Sequence, residues 1–210
     1  MKTIRVALSM RVTEALDYDE PRDALSQDWA LLLDRWGMAP LPVPNVLGDP
    51  AGHLEIIAPD LLILTGGDDS GRTPGRDRAE RKMLAHALAK GLPVLGVCRG
   101  MHLINDHFGG TTTPVEGHVG VSHRVSVEAA WRPLYGAETR TNSFHSLAMD
   151  RDGLGRGLAP AAADCEGRIE AFFHVRHPLA AVMWHPERRD APQGDRELIS
   201  RLVGEGAFWS

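Results

Sequence analysis

The chain has 210 residues, of which 43% are hydrophobic, and its formal net charge is −5. This length and apolar content fit one α/β domain with a sizeable core, so we expect a single domain over residues 1–210. The negative charge argues against a general nucleic-acid-binding surface, although it leaves open a local arginine pocket for a small anion.

Alternating apolar strands and amphipathic helices are predicted through the first half of the chain, which is typical of βα units. Such units form a parallel sheet with right-handed crossovers. Alternate prolines force residues 40–44 to be extended, and Gly37 and Gly91 suit the ends of helices. The predicted strands are residues 1–9, 61–64 and 94–97, and the predicted helices are residues 23–36 and 76–90.

Trp29 lies on the first predicted helix, where it shares an apolar stripe with Leu25, Leu32 and Leu33. A stripe at this spacing faces the core of a globular protein. We therefore interpret Trp29 as a core residue rather than as a platform for a nucleobase.

The second half of the chain changes to a mostly β pattern with a period of two. Residues 119–127 alternate apolar and polar side chains, which is typical of half-buried antiparallel strands. Residues 149–163 are rich in Gly, Asp and Ala and are predicted as a surface connection, and residues 68–78 as a mobile loop beside residue 98. Further strands are predicted at residues 142–146, 169–173 and 180–184, before a closing helix at residues 195–203.

No segment of the sequence looks like a membrane anchor or a secretion signal. No apolar run approaches the roughly 20 residues of a membrane span, and the first residues lack a signal-peptide pattern. The two cysteines, Cys98 and Cys165, form neither a disulfide framework nor a metal-type spacing. We therefore expect a soluble protein of the reducing cytoplasm, without a membrane or nucleic-acid polymer as partner.

Cys98 lies at a sharp break between a predicted strand and a predicted helix. The sequence Gly96-Val-Cys-Arg-Gly100 places glycine two residues before and two residues after the cysteine, which is the pattern of a nucleophile elbow. Such a turn presents the thiol at the carboxyl edge of the sheet, where the positive end of the helix favours the thiolate. Alone, the pattern also fits a small buried cysteine. Cys165 has no such setting, and we interpret it as passive.

A histidine and a carboxylate follow another apolar run, residues 179–183. At the end of a buried strand His185 can act as a base, and Glu187 can hold its ring through the second ring nitrogen. This arrangement is the general logic of a catalytic triad. Taken separately, His185 also fits an ordinary turn.

A glycine pair ends the predicted strand at residues 61–64. Gly66 and Gly67 let a backbone N–H approach a substrate oxygen closely, as an oxyanion hole requires. By itself the pair also fits an ordinary turn between a strand and a helix.

Taken together, Thr65-Gly-Gly67, Gly96-Val-Cys-Arg-Gly100 and Trp184-His-Pro-Glu187 resemble the class I glutamine amidotransferase family. They occur in the family's order and extend over nearly the whole chain. The resemblance implies a flavodoxin-like α/β fold, with a mostly parallel sheet flanked by helices and a small antiparallel part in the C-terminal half. It also implies a Cys-His-Glu triad that cleaves γ-glutamyl amides through a γ-glutamyl thioester.

The motifs assign roles to individual residues. The resemblance implies that Cys98 is the nucleophile, that His185 is the base and later the acid, and that Glu187 orients the ring. It implies that the N–H groups of Gly67 and Arg99 form the oxyanion hole. It implies no metal and no organic cofactor for the reaction.

No synthetase domain is expected in the chain, and its layout resembles free-standing γ-glutamyl hydrolases of the peptidase C26 type. Several segments resemble the γ-glutamyl-CDP-amidate hydrolases of bacterial capsule phosphoramidate synthesis, which favours a small γ-glutamyl substrate conjugated to cytidine diphosphate. The alternatives are a glutaminase subunit that supplies ammonia to a synthetase partner, another γ-glutamyl-amine hydrolase, and a degenerate binding module. The similar segments are Arg11 and residues 22–29, 66–69, 142–145, 170–172 and 183–188.

Two positions depart from the family pattern. The family commonly carries Gln four residues after the nucleophile, where it helps to hold the glutamyl group, and this chain has His102 there. Polyamine-pathway hydrolases commonly follow Asn-Ser-x-His with His-Gln, whereas this chain has Ser146-Leu147. The second departure argues against γ-glutamyl-aminobutyrate as the substrate.

We expect the substrate to contact polar residues at strand ends and loops near the motifs. Arginines among them can bind a diphosphate through bidentate hydrogen bonds. Each residue also has an ordinary structural explanation, as a solvated charge, a loop polar group or a strand-end hydrogen bond. The expected contacts are Gly66, His102, His118, Asn142, Ser143, His145, Arg11 and Arg22.

Overall fold

Thirteen strands and six α-helices are present in a computed structural model that describes residues 2–68 and 71–209. The strands are β1 (Arg5–Ser9), β2 (Arg11–Glu14), β3 (Pro21–Ala24), β4 (Ala39–Val43), β5 (Leu61–Leu64), β6 (Val94–Val97), β7 (Thr113–Pro114), β8 (Val119–Val127), β9 (Glu138–Phe144), β10 (Leu147–Ala148), β11 (Leu158–Ala163), β12 (Ile169–His174) and β13 (Leu179–Val182). The α-helices are α1 (Gln27–Arg35), α2 (Pro50–Ile57), α3 (Pro74–Lys90), α4 (Arg99–His107), α5 (Arg132–Tyr135) and α6 (Asp195–Glu205).

Nine of the strands form one mixed sheet in the order β4-β1-β5-β6-β13-β12-β11-β8-β9. The strands from β4 to β13 are parallel, and each later neighbour, from β12 to β9, pairs antiparallel. We call the first five strands the parallel half and the last four the antiparallel extension. This architecture confirms the expected α/β class with an antiparallel part in the C-terminal half.

The central strands of the parallel half have apolar side chains on both faces. Every residue of β5, β6 and β13 is buried, which is expected where helices cover both sides of a parallel sheet. The proline-containing strand β4 lies at the edge of the sheet, since a proline cannot donate a hydrogen bond to a further strand.

The core lies on both faces of the sheet. One cluster packs α1 and α6 against it and includes Trp29, Trp184 and Leu198. The other packs α3 and α4 against the opposite face and includes Met83 and Ile104. The burial of Trp29 confirms its interpretation as a core residue.

Three predicted segments differ from the structure, and local hydrogen bonding explains two of them. Residues 21–24 do not begin the first helix but pair with β2 as a hairpin, and the Ser26 side chain caps α1, which starts at Gln27. The predicted loop at residues 68–78 is too long, because Pro74 starts α3, where proline costs no helical hydrogen bond. Asp69 and Ser70 of that loop lie outside the described residues.

The predicted surface connection at residues 149–163 is wrong for its last part. Residues 158–163 form β11, which lies between β12 and β8 in the sheet. Alanine favours strands weakly, so the composition Leu-Ala-Pro-Ala-Ala-Ala gives little β signal. Pairing with the next strand, β12, and with the distant β8 provides the stabilisation instead.

Candidate active site

Cys98 lies in a strained turn between β6 and α4. Its φ of 51° and ψ of −107° are unusual for a residue other than glycine. A Cβ on Gly96 would lie 2.6 Å from Ile104, and one on Gly100 would collide with the backbone oxygen of Leu64. The two glycines are therefore required by close packing, as the elbow pattern predicts. Cys98 keeps 7% of its surface exposed.

Parallel pairing of β6 with β13 brings His185 to Cys98. Val97 and Val182 are partners in this pairing, so the residues that follow them emerge at the same edge of the sheet. The backbone N–H of Cys98 donates to the oxygen of Val182 at 2.9 Å. The side chains of Cys98 and His185 both lie against Gly66, and the sulfur is among the groups that raise the pKa of the ring.

Glu187 holds the other side of the His185 ring. His185 Nδ1 donates to Glu187 Oε1 at 2.7 Å, and both side chains are buried. Burial by itself would lower the pKa of His185. Hydrogen bonds to Cys98 and Glu187, together with their negative charges, outweigh burial and raise that pKa to about 9. The geometry therefore favours an imidazolium ion between a sulfur and a carboxylate.

Asn142 clamps the backbone around His185. Its Nδ2 donates to the carbonyl oxygens of His185 and Arg189, each at 3.0 Å, and its Oδ1 accepts the N–H of His185 at 2.9 Å. Ser143 Oγ donates to the carbonyl oxygen of His118 at 2.7 Å. Both residues are expected substrate contacts, yet the structure directs their side chains to backbone groups.

The glycine turn after β5 lies against the imidazole. A Cβ on Gly66 would lie 2.7 Å from the His185 ring and 3.4 Å from Cys98, and Gly67 has a φ of 114°. Only glycine adopts such a backbone readily. Gly67 and the first residue of α4, Arg99, are the two expected oxyanion-hole donors. The first N–H groups of a helix have no acceptor within the helix, so the N–H of Arg99 can face a ligand.

A buried network of charged side chains, which the sequence analysis missed, supports this turn. Arg76 hydrogen-bonds the carbonyl oxygens of Thr65 and Gly66 at 2.9 and 3.0 Å. It also pairs with Glu80 at 2.8 Å, and both side chains are fully buried.

The side chain of Arg99 completes this network by pairing with Glu80 and Asp77. The network thus ties the elbow to the glycine turn through α3. Arg76 and Glu80 are spaced four residues apart on a helix, which in sequence looks like an ordinary surface ion pair.

His102 lies in α4, and His145 directly follows β9. His102 follows Cys98 by one turn of α4, and its Nε2 is buried without a hydrogen-bond partner. Burial lowers the pKa of His102 to about 4, with further contributions from the charges of His145 and Arg99. His102 is therefore neutral at pH 7. The His145 ring lies 4.9 Å from the His118 ring, between centroids.

The two expected arginine contacts differ in position. Arg11 binds Asp68 at 3.2 Å and lines a cleft with Gly67, His185 and Arg188. Arg188, which the sequence analysis did not single out, stacks on Phe144 at 4.2 Å. Arg22 does not line this cleft but hydrogen-bonds Glu20 and Tyr18 on the exposed hairpin.

Comparison with known proteins identifies the class that this fold and site define. A glutamine amidotransferase from Thermotoga maritima superposes with a TM-score of 0.65 over 96% of this chain and 83% of its own, at 14% identity. The fold is therefore that of the class I glutamine amidotransferases. The Peptidase C26 family matches residues 6–187, and the chain belongs to that family. It is accordingly a hydrolase that acts on carbon–nitrogen amide bonds, as expected.

Two curated relatives extend over most of the chain. The γ-glutamyl-CDP-amidate hydrolase of Campylobacter jejuni is 29% identical over 88% of this chain and 90% of its own length. The γ-glutamyl-γ-aminobutyrate hydrolase PuuD of Escherichia coli is 26% identical over 81% of this chain and 79% of its own.

Among residues 2–68 and 71–209, no helix combines the length and the apolar composition that crossing a membrane requires.

Proposed function

We propose that the protein hydrolyses a γ-glutamyl amide, with Cys98 as nucleophile, His185 as base and acid, and Glu187 as the orienting carboxylate. The observation that carries this proposal is the strained elbow that places Cys98 beside His185, whose ring is hydrogen-bonded to Glu187 at 2.7 Å. A nucleophile, a base and an orienting group in line define the triad logic of acyl transfer. The names of both curated relatives support a γ-glutamyl substrate.

Two steps follow from this arrangement. The Cys98 sulfur attacks the γ-carbonyl carbon, and the C–N bond breaks as the His185 imidazolium gives its proton to the departing nitrogen. Water, deprotonated by His185, then attacks the γ-glutamyl thioester and releases glutamate and the free thiol. We assign the N–H groups of Gly67 and Arg99 to the negative oxygen of each tetrahedral intermediate.

We further propose γ-glutamyl-CDP-amidate as the substrate and capsule phosphoramidate synthesis as the setting. Arg11 and Arg188 line the cleft that opens beside His185, and guanidinium groups bind diphosphates through bidentate hydrogen bonds. The match to the Campylobacter jejuni enzyme over most of both chains supports the same leaving group. Both cysteines are free, which suits the cytoplasm as the compartment.

A second candidate function is that of a glutaminase subunit that supplies ammonia to a synthetase partner. It is favoured by the structural likeness to a glutamine amidotransferase. It differs from the first proposal in its need for a partner and in its leaving group, ammonia. A site that recognises ammonia as leaving group has no use for the arginines of the cleft.

Measuring glutamate release from γ-glutamyl-CDP-amidate, glutamine and a set of γ-glutamyl amines decides between these functions. We expect the purified protein to cleave the first compound most efficiently, and Cys98→Ala to lose at least about 10⁴-fold in kcat while it still binds substrate. Cys165→Ala is the matched control and keeps full activity, because Cys165 is exposed and outside the site. Cleavage of glutamine alone, and only with an added partner, selects the glutaminase subunit.

The arginine cleft has its own test. Arg11→Gln should raise KM for γ-glutamyl-CDP-amidate about tenfold or more and leave KM for a small γ-glutamyl amine unchanged, because a charge-assisted hydrogen bond is worth about 1.5–3 kcal/mol. Arg201→Gln removes an exposed arginine of α6 that pairs with Glu197 and serves as control. Equal effects of Arg11→Gln on both substrates contradict the assignment of the diphosphate to this cleft.

A further inference from the structure

A second cluster of chemically reactive side chains lies in the antiparallel extension, apart from Cys98, His185 and Glu187. It contains His118, His123, Asp164 and Glu170, and one possible ligand atom of each lies within 4.8 Å of those of the others. His118 precedes β8, His123 lies in β8, Asp164 follows β11, and Glu170 lies in β12. We call these four residues the histidine–carboxylate cluster.

Glu170 is a buried carboxylate whose nearest charged or polar partners are two histidine rings. Its side chain is 1% exposed, and neither of its oxygens has a hydrogen-bond partner. His123 Nε2 and His145 Nε2 approach the two oxygens to 3.4 Å, but neither contact has hydrogen-bond geometry. A buried carboxylate without a hydrogen bond is costly, and a cation between these oxygens and the histidine nitrogens would offset that cost.

His118 shows the same pattern at the other end of the cluster. Its Nδ1 hydrogen-bonds the carbonyl oxygen of Glu116 at 3.0 Å, so Nδ1 carries a proton. Its Nε2 lies 3.2 Å from Asp164 Oδ2. An Nδ1–H bonded to a backbone carbonyl is the usual way in which a metal-binding histidine is oriented.

Asp164 is oriented by hydrogen bonds of its own. Its Oδ1 accepts the N–H groups of Glu166 and Arg168 at 2.8 and 2.9 Å, and its Oδ2 lies 3.2 Å from His118 Nε2 and 3.4 Å from Arg168 Nη1. Metal-ligating carboxylates are held in this way by hydrogen bonds from outside the coordination sphere.

We propose that the histidine–carboxylate cluster binds one divalent metal ion, with Zn²⁺ as the ion that the donors favour. Donors at about 2.0–2.2 Å from a tetrahedral ion lie about 3.3–3.6 Å apart. The His118–Asp164 and His123–Glu170 pairs lie 3.2 and 3.4 Å apart. Two neutral imidazoles with two carboxylates balance a charge of +2, and a mixed N and O donor set suits Zn²⁺.

A metal ion in the histidine–carboxylate cluster would have a structural role. β8 pairs with β11 only through Ser126 and Val127, so its first half has no backbone partner on that side. The cluster bridges this gap, because it joins the start of β8 to β12. β8 also pairs with β9, where Ser122 lies opposite Asn142, the residue that clamps His185. A bound ion would therefore stabilise the extension and, through β9, the position of the imidazole. The proposal does not depend on the substrate or on the reaction proposed above.

The test is a titration of chelator-treated, full-length protein with Zn²⁺, made in the Cys98→Ala background so that the thiol cannot capture the metal. We expect one ion per chain by calorimetry and a thermal midpoint that rises by about 5 °C at Zn²⁺ a hundredfold above Kd. Titration with Co²⁺ should produce the visible absorption of a four-coordinate ion without a sulfur ligand. Glu170→Gln and His123→Asn should each weaken binding at least about tenfold.

His86→Asn is the matched control, because it removes another histidine beside a glutamate, Glu55, outside the cluster. Its affinity for Zn²⁺ should equal that of the parent. His123 keeps 20% of its side-chain surface exposed, so His123→Asn should fold even where Glu170→Gln does not, and circular dichroism checks both. The proposal is overturned if the Cys98→Ala protein binds no stoichiometric Zn²⁺. It is also overturned if folded His123→Asn binds Zn²⁺ with unchanged affinity.

Discussion

The parallel half and the antiparallel extension divide the work of the proposed active site between them. The parallel half supplies the side chains in line for chemistry, since Cys98 and His185 follow two neighbouring buried strands. The extension supplies groups that hold them, above all Asn142. The comparison teaches that reactive groups gather where parallel strands end, whereas their precise orientation depends on strands that pair from elsewhere in the chain.

The largest effect is expected when the parallel half loses its buried charge network. Arg76→Met removes the partner of the Thr65 and Gly66 carbonyl oxygens and one partner of Glu80, so the free energy of unfolding should fall by about 3–5 kcal/mol. Denaturant unfolding of Arg76→Met and the parent measures this difference in free energy. Arg81→Ala, which breaks an exposed pair with Asp106, should cost about 1 kcal/mol or less. Similar losses in both variants would show that the network does not stabilise the turn.

Substitution of Asp195 tests the contact between the parallel half and the antiparallel extension. Tyr135, from the segment between β8 and β9, and Trp184, after β13, both donate to this carboxyl group. Burial raises its pKa to about 7, against the hydrogen bonds that lower it. Because the folded protein then binds the proton more tightly than the unfolded chain, this stabilisation is full below pH 4 and is lost as the pH rises through 7.

Asp195→Asn should therefore be more stable than the parent at pH 8 by on the order of 3 kcal/mol, with a smaller difference at pH 5. Thermal or denaturant unfolding of both proteins between pH 5 and pH 9 measures this difference. A constant difference across that range would mean that Asp195 does not titrate there.

Substitution of Asn142 tests the contribution of the antiparallel extension to catalysis. Asn142→Ala frees the His185 backbone, and a displacement of about 1 Å can cost about 100-fold in rate. We expect kcat to fall about 10- to 100-fold with little change in KM. Arg140→Ala alters an exposed residue of the same strand and should have no such effect. A rise in KM with unchanged kcat would instead make Asn142 a substrate contact.

The smallest expected effect concerns the pH profile. With the pKa of His185 at about 9, the imidazolium persists up to that pH, and kcat/KM should decline above it. Glu187→Gln removes one of the charges that raise this pKa, so its alkaline limb should move to lower pH by about one unit, which corresponds to about 1.4 kcal/mol. An unmoved limb would show that Glu187 does not stabilise the imidazolium.

Much of the parallel half could be predicted from the sequence because its determinants are local. Continuous apolar runs predict β5 and β6, glycines mark the end of α3 and the elbow, and each is read within a few residues. β11 could not be predicted in this way, because its alanines favour strands weakly and form one only by pairing with β12 and with β8, which is distant in sequence. The start of α1 was missed for a similar reason, since a hairpin took residues 21–24.

The sequence by itself determined which residues can react: the strained cysteine between two glycines, and the histidine and glutamate at the end of a buried strand. Within each motif the residues are only two positions apart, and the steric rules that shape a motif act over a few residues. Only the tertiary structure decided what holds them, because Arg76 and Asn142 bind backbone groups that the fold brings within their reach. Hydrogen bonds and ion pairs depend on distances in space, and no spacing along the chain encodes those distances.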